Sequence, residues 1–362
     1  MAIEYLSGNR ATGTASDRAG LTVYSTKSWV ELGRTTFTSA SSQISVEGIT
    51  TTDYDHLMIL SHNLVNSDHN MTYSTGTGSY SGSYADRRSE NGGSDQTTTN
   101  RSDNGIITDA HTQEMFTIGH MANYDGKEKL VVWHSVGDNT DGAGNAPDRF
   151  ECVGKFTGTS KIDRLKLNNS SSINNEVGSE MIILGAKSSG TNTDKQGFWQ
   201  ELADVELTQQ GTLSTGDFTA KKWLMIQVYS KPSSSTTSGL VCNGDTSSSN
   251  YANRRSHNGA SDQTRTSSDN LPNVQLNGAY NEDGWSYATV YACNLSDKEK
   301  LFNVHHAGEN TGSATALPRR VDAVGKWTNS SSQITSLQLT DGAGSTGQQF
   351  IAGSRIKVWG AD

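Results

Sequence analysis

The side chains best equipped to hold a charged partner are two pairs of neighbouring arginines, Arg87-Arg88 and Arg254-Arg255. Each pair is followed within the same short stretch by an aspartate, Asp95 and Asp262 respectively. These residues lie in a thirteen-residue stretch that is written twice, from Tyr84 to Gln96 and from Tyr251 to Gln263, with ten positions identical. A guanidinium fork matches a carboxylate bidentately, in a charge-assisted pair about twice as strong as a neutral hydrogen bond. The spacing predicts that one arginine of each pair forks onto the aspartate of its own stretch and pins a long polar loop. The competing expectation is a contact surface for a partner subunit or a glycan, to which Tyr84 and Tyr251 would contribute the repeated aromatic ring. Asn91-Gly92 and Asn258-Gly259 predict type I′ turns, which need positive φ at both central residues.

Other reactive residues form no constellation. His134 and His305 match between the two copies, but no repeated cysteine or further histidine completes a zinc set, so they read as buried or interface histidines. The acidic run Asp138-Asn139-Thr140-Asp141-Gly142 becomes Glu309-Asn310-Thr311-Gly312-Ser313 in the second copy. It loses an acid and lacks the alternating ligands of a calcium loop, so it reads as a turn. Glu31 and Glu201, and Glu128 and Glu299, are matched carboxylates beside lysines or on outer strand faces, with no acid pair of glycosidase type. G-x-S-x-G, H-E-x-x-H and phosphate-loop patterns are missing. The expectation is no catalytic residue, no metal and no cofactor.

The elements that position the arginines are strands, and the whole unit is duplicated. Trp29-Val30-Glu31-Leu32 matches Trp199-Gln200-Glu201-Leu202, Lys127-Glu128-Lys129-Leu130 matches Lys298-Glu299-Lys300-Leu301, and Val153-Gly154-Lys155-Phe156 matches Val324-Gly325-Lys326-Trp327. Gly178-Ser179 likewise matches Gly353-Ser354, and the offset drifts only between 167 and 175 residues. Alternating apolar residues predict strands near 30–34, 43–48, 56–65, 115–121, 129–135, 149–153, 162–167 and 180–185, and no stretch carries helical spacing. The predicted fold is all-β: two tandem homologous antiparallel β-sandwich domains, jelly-roll-like, with a short N-terminal arm. The divisions are 1–28 for the arm, 29–187 for the first domain, 188–197 for a linker and 198–362 for the second domain. The polar linker predicts adjacent but semi-independent domains, and the arm predicts a segment that orders on a neighbouring subunit.

Composition narrows the partners. A net charge of −9 without a basic run argues against nucleic acid. No apolar stretch reaches membrane-spanning length, and the opening residues lack a secretory pattern, so the expectation is synthesis and retention in a cytoplasm. Three cysteines, Cys152, Cys242 and Cys293, have no shared spacing and read as small buried apolar residues.

The opening Ile3-Glu4-Tyr5-Leu6-Ser7-Gly8-Asn9-Arg10, the duplicated Tyr-Ala-x-Arg-Arg-Ser-x-Asn-Gly-x-Ser-Asp pattern, the Lys-Glu-Lys-Leu and Val-Gly-Lys boxes and the closing Gly-Ser-x-Ile-x-Val-x-Gly resemble virion structural proteins of marine tailed phages. The resemblance covers nearly the whole chain. It implies a non-enzymatic particle component made in the host cytoplasm and carried on the outer surface of the virion, as a decoration or cement protein of the head. Its expected partners are other virion proteins, the capsid protein first, and further copies of itself. The alternatives are a tail fibre or adaptor meeting host surface glycans, and a soluble carbohydrate-binding module with an exposed aromatic platform.

Overall fold

The computed structural model describes residues 5–6, 10–11, 29–49, 51–65, 71–75, 83–101, 105–107, 114–169, 174–187, 197–234, 237–269, 273–276, 284–309, 317–341 and 349–362. Most of the expected arm and of the linker lies outside these residues. The arm contributes β1 (Tyr5–Leu6) and β2 (Arg10–Ala11), which pair with each other.

The first domain contains β3 (Val30–Thr36), β4 (Gln43–Glu47), β5 (Tyr54–Leu64), β6 (Met71–Ser74), β7 (Tyr84–Glu90), β8 (Gln96–Arg101), β9 (Gly105–Ile106), β10 (Glu114–Ala122), β11 (Lys129–Gly137), β12 (Asp148–Phe156), β13 (Arg164–Asn169) and β14 (Glu180–Lys187). The second contains β15 (Gln200–Glu206), β16 (Trp223–Ser230), β17 (Ser238–Cys242), β18 (Tyr251–His257), β19 (Gln263–Arg265), β20 (Val274–Gln275), β21 (Ser286–Cys293), β22 (Lys300–Gly308), β23 (Arg319–Trp327), β24 (Leu337–Asp341) and β25 (Arg355–Ala361).

Each domain is an antiparallel sandwich of one large and one small sheet. The large sheets run β3-β14-β5-β10-β11-β12-β7-β8 and β15-β25-β16-β21-β22-β23-β18-β19, the same order strand for strand. Registers match as well: Lys129 faces Phe156 as Lys300 faces Trp327, and Tyr84 faces Phe156 as Tyr251 faces Trp327. The small sheets are β4-β13-β6-β9 and β20-β17-β24.

Inside the first sandwich Ile59, Tyr73, Val131, Trp133, Leu165 and Met181 form the core, and inside the second Ile226, Val290, Phe302, Val304, Leu339 and Val358 do so. A third apolar cluster lies between the domains, where the outer faces of the two large sheets stack: Met58, Leu60, Phe116, Ile118, Ile182 and Leu184 meet Trp223, Cys293, Leu301, Val324 and Ala361. The Phe116 and Trp223 ring centroids are 5.6 Å apart. The result is four layers with both large sheets in the middle, so the domains are joined through a shared core and are not semi-independent. A strand covered on both faces loses its alternation, and β5 accordingly buries seven consecutive residues from Leu57 to Asn63.

The stacking is staggered. The first domain offers the end of its sheet bearing Phe116 and Val136, whereas the second offers the opposite end, the row Trp223, Cys293 and Leu301.

Candidate interaction site: the repeated hairpins at the domain interface

The twice-written stretch is not a long loop. It forms two tight hairpins, β7 to β8 and β18 to β19, each next to the large-sheet strand β12 or β23. The turns are left-handed at both central residues, with φ of 50° and 71° at Asn91 and Gly92 and of 52° and 76° at Asn258 and Gly259, as the Asn-Gly pairs predict. Asn91 Oδ1 accepts from the Arg149 backbone N–H, and Asn258 Oδ1 accepts from that of Arg320, so each turn also fixes the strand beside it.

The arginine forks differ from the expectation in both copies. Arg87 donates one Nη1 bond to Asp95 at 3.1 Å with both side chains more than half exposed, which is a weak surface pair and no bidentate pin. Arg88 instead reaches Asp86, Thr98 and Gln96 along the hairpin. In the second copy Asp262 is bonded by neither Arg254 nor Arg255. Its fork comes from Arg149 of the first domain, whose Nε and Nη2 donate to the two carboxylate oxygens at 3.2 and 2.5 Å. Both side chains of this pair are almost fully buried, and Arg149 also holds Glu151. Burial pulls the Arg149 pKa down, but the bonds to Asp262 and Glu151 more than offset it and leave it raised. Arg254 crosses to the first domain too, donating from Nε to the Pro147 carbonyl at 2.7 Å, while the buried Arg255 reaches Gln263.

The two hairpins therefore meet at the interface, and they meet unequally. A Cβ on Gly92 would lie 2.5 Å from Asp262 Oδ1, while on Gly259 the nearest atom would be 3.7 Å away.

Tyr84 and Tyr251 are also corrected, since both rings are buried at 1% exposure and form no platform. Tyr84 Oη accepts from the Thr75 N–H at 3.0 Å and Tyr251 Oη from the Cys242 N–H at 3.0 Å, so both anchor a small sheet to its large one. The three cysteines are free and buried.

The other repeated boxes have structural work that their spacing did not disclose. Lys129 and Lys300 are buried with Nζ donating to the carbonyls of Tyr124, Lys127 and Thr159, and of Lys298 and Asn329, which closes the turns before β11 and β22. Lys326 of the second Val-Gly-Lys box is buried and donates to the carbonyls of Asp138 and Thr140, and Glu299 accepts from the Gly142 N–H at 2.6 Å. The acidic turn of the first domain is thus plugged into the second. Around it lies a cavity of about 530 Å³ lined by Glu114, Asp138, Asp141, Glu176, Asp297 and Glu299. Burial pushes the Asp138 carboxyl up to about 7, with the Glu114 and Glu299 carboxylates adding to the rise. Among the described residues no group of three or more His, Cys, Asp or Glu side chains is placed to hold a metal ion.

His134 and His305 face each other across the interface with ring centroids 4.1 Å apart. Burial lowers the His134 pKa to about 3, and His305 pushes the same way.

Beyond the stagger, the outer face of the first large sheet stays open. It forms a groove of about 740 Å³ lined by Trp29, His56, His120, Leu130, Val132 and Val153.

No family model and no curated protein matches the chain. Among solved structures, mouse laminin alpha1 chain domains LG4-5 align over 93% of this chain and 92% of that one, at 11% identity and a TM-score of 0.19. The LG1-3 region of the laminin alpha2 chain aligns over 88% and 68%, at 7% identity and a TM-score of 0.20. Scores this low carry no functional argument. No helix among the described residues is long and apolar enough to cross a membrane.

Proposed function

We propose that this protein is a non-enzymatic structural component of a tailed-phage particle, carried on its outer surface as a decoration or cement protein of the head. The observation that supports this reading is the use made of the twice-written polar motif. Its arginines, aspartates and tyrosines brace hairpins and join domains, and the broad open surface beside it is an apolar sheet face suited to a protein partner. The boxes that resemble phage virion proteins fall on the turns and strands that build this block. The reading as a soluble carbohydrate-binding module needs an exposed aromatic platform, and its repeated aromatic pair, Tyr84 and Tyr251, is buried.

The test is mass spectrometry and immunogold labelling of gradient-purified particles. The expected result is a fixed copy number per particle with gold on the head. A protein abundant in the infected lysate and missing from purified particles overturns the reading.

A further inference from the structure

We propose that the second domain binds a small tetrahedral oxyanion of the sulfate class against Arg255, on the core side of its repeated hairpin. The argument rests on a comparison of the two copies and does not depend on the virion reading.

The copies place this arginine alike and partner it differently. Arg88 and Arg255 are counterparts, and each donates from Nη2 to the matching glutamine, Arg88 to Gln96 Oε1 at 2.9 Å and Arg255 to Gln263 Oε1 at 3.2 Å. In the first domain Nη1 is filled as well, since that of Arg88 donates to Asp86 at 3.1 Å and to the Thr98 hydroxyl at 3.0 Å. In the second domain the register puts Asn253 where Asp86 stands and Arg265 where Thr98 stands. Asn253 is committed to the small sheet: its Nδ2 donates to the Asn273 carbonyl at 2.9 Å, and its Oδ1 accepts from the Gln275 N–H at 3.0 Å. Arg265 adds a second cation in place of an acceptor. Arg255 is 1% exposed, and among the described residues its Nε and Nη1 have no hydrogen-bond partner.

The surrounding charges change in the same sense. Glu90 of the first copy becomes His257 and Asp148 becomes Arg319, so basic groups replace two more acids. His257 lies opposite Val321, and so does His306, while Arg255 lies opposite Ala323 two residues along, which puts all three side chains on one face of the sheet. These groups act on one another. Burial lowers the Arg255 pKa to about 10 with Arg265 pushing the same way, and Arg319 and Arg255 add to the burial that lowers His257.

A buried guanidinium without a counter-charge is costly. The first domain answers it with a carboxylate of its own chain, whereas the second has replaced that carboxylate, so its counter-charge comes from solution. The donors fix the chemical class. A guanidinium fork fits two oxygens of one oxyanion, and donors aimed at the ion favour one that only accepts, as sulfate does at neutral pH.

The test is calorimetric titration of the full chain with sodium sulfate, against sodium chloride at matched ionic strength. One saturable sulfate site per chain is expected, and no such site for chloride. Arg255→Met removes the donors, and Asn253→Asp with Arg265→Thr rebuilds the first-domain arrangement, setting a carboxylate where the ion would sit. Each should weaken sulfate binding by at least about tenfold. Inorganic phosphate should also bind, whereas O-phosphoserine, whose ester group has no room beside so buried a guanidinium, should bind at least about tenfold more weakly than the free ion. Wild-type crystals soaked in selenate supply a readout that does not depend on how the variants fold, with an anomalous peak expected beside Arg255 Nε and Nη1. A wild type without a saturable sulfate site overturns the proposal, as does a variant that keeps wild-type affinity or a selenate peak only elsewhere. Equal affinity for phosphate and O-phosphoserine overturns the assignment of a free ion.

Discussion

Two arginines that look alike in sequence differ sharply in what they hold. Arg149 and Asp262 form a nearly dry, bidentate pair between domains, and removing one partner strands the other charge. Arg149→Ala should therefore cost on the order of 3–5 kcal/mol in denaturant unfolding, whereas Arg87→Ala, at an exposed pair, should cost less than about 1. Equal midpoint shifts for the two variants would contradict this assignment. The contact between Arg149 and Asp262 was not legible in the sequence, because its partners are 113 residues apart and only stacking of the domains brings them together. His134 supplies a pH signature. An unfolded histidine titrates near 6.5, so a folded value of about 3 means that the unfolded chain binds the extra proton first, and stability falls as pH drops from about 6.5 toward about 3. His306, lowered to about 4 by burial, acts in the same direction. Asp138, raised to about 7, opposes them, since it favours the folded chain at pH values below that point. Unfolding measured from pH 3 to 8 should show the wild type converging on or falling below His134→Gln as acid is added, and a difference independent of pH would refute the role of the ring.

At the scale of the element, the hairpins separate turn chemistry from position. Gly92 and Gly259 hold similar left-handed angles, so replacement by alanine should cost about 1 kcal/mol in each for backbone strain alone. Gly92 additionally abuts Asp262, and a methyl there must push the turn away from the Arg149 fork, adding about 1–3 kcal/mol. Comparative thermal unfolding of the two single variants is the check, and an equal loss would show that the hairpins do not bear on each other. The Asn-Gly turns were legible because their chemistry is local. The strands around them were not, because Arg87-Arg88-Ser89-Glu90 and the threonine-rich β8 offer no apolar alternation. The alternating strands, such as β11 with Val131 and Trp133 buried and Leu130 and Val132 exposed, were read from pattern alone.

At the scale of the whole molecule, duplication and fold class were visible in the sequence, but the join between the copies was not. A face covered by another domain is written in the same leucines and isoleucines as a face covered by its own small sheet. A protein comprising residues 29–187 alone should consequently expose Met58, Leu60, Phe116, Ile118, Ile182 and Leu184 together. It should bind a hydrophobic dye and scatter light at concentrations where the full chain does neither. A dye-silent, monodisperse fragment would show that the first domain closes that face by itself. The same uncovered face has a consequence during synthesis. The first domain leaves the ribosome complete while its cover is still to be translated, and at ordinary elongation rates the remaining residues take roughly 10–35 s. For that interval the nascent chain carries an adhesive sheet in a crowded polysome, where neighbouring chains hold the identical surface, and its yield depends on whatever shields that surface until Trp223 and Leu301 arrive.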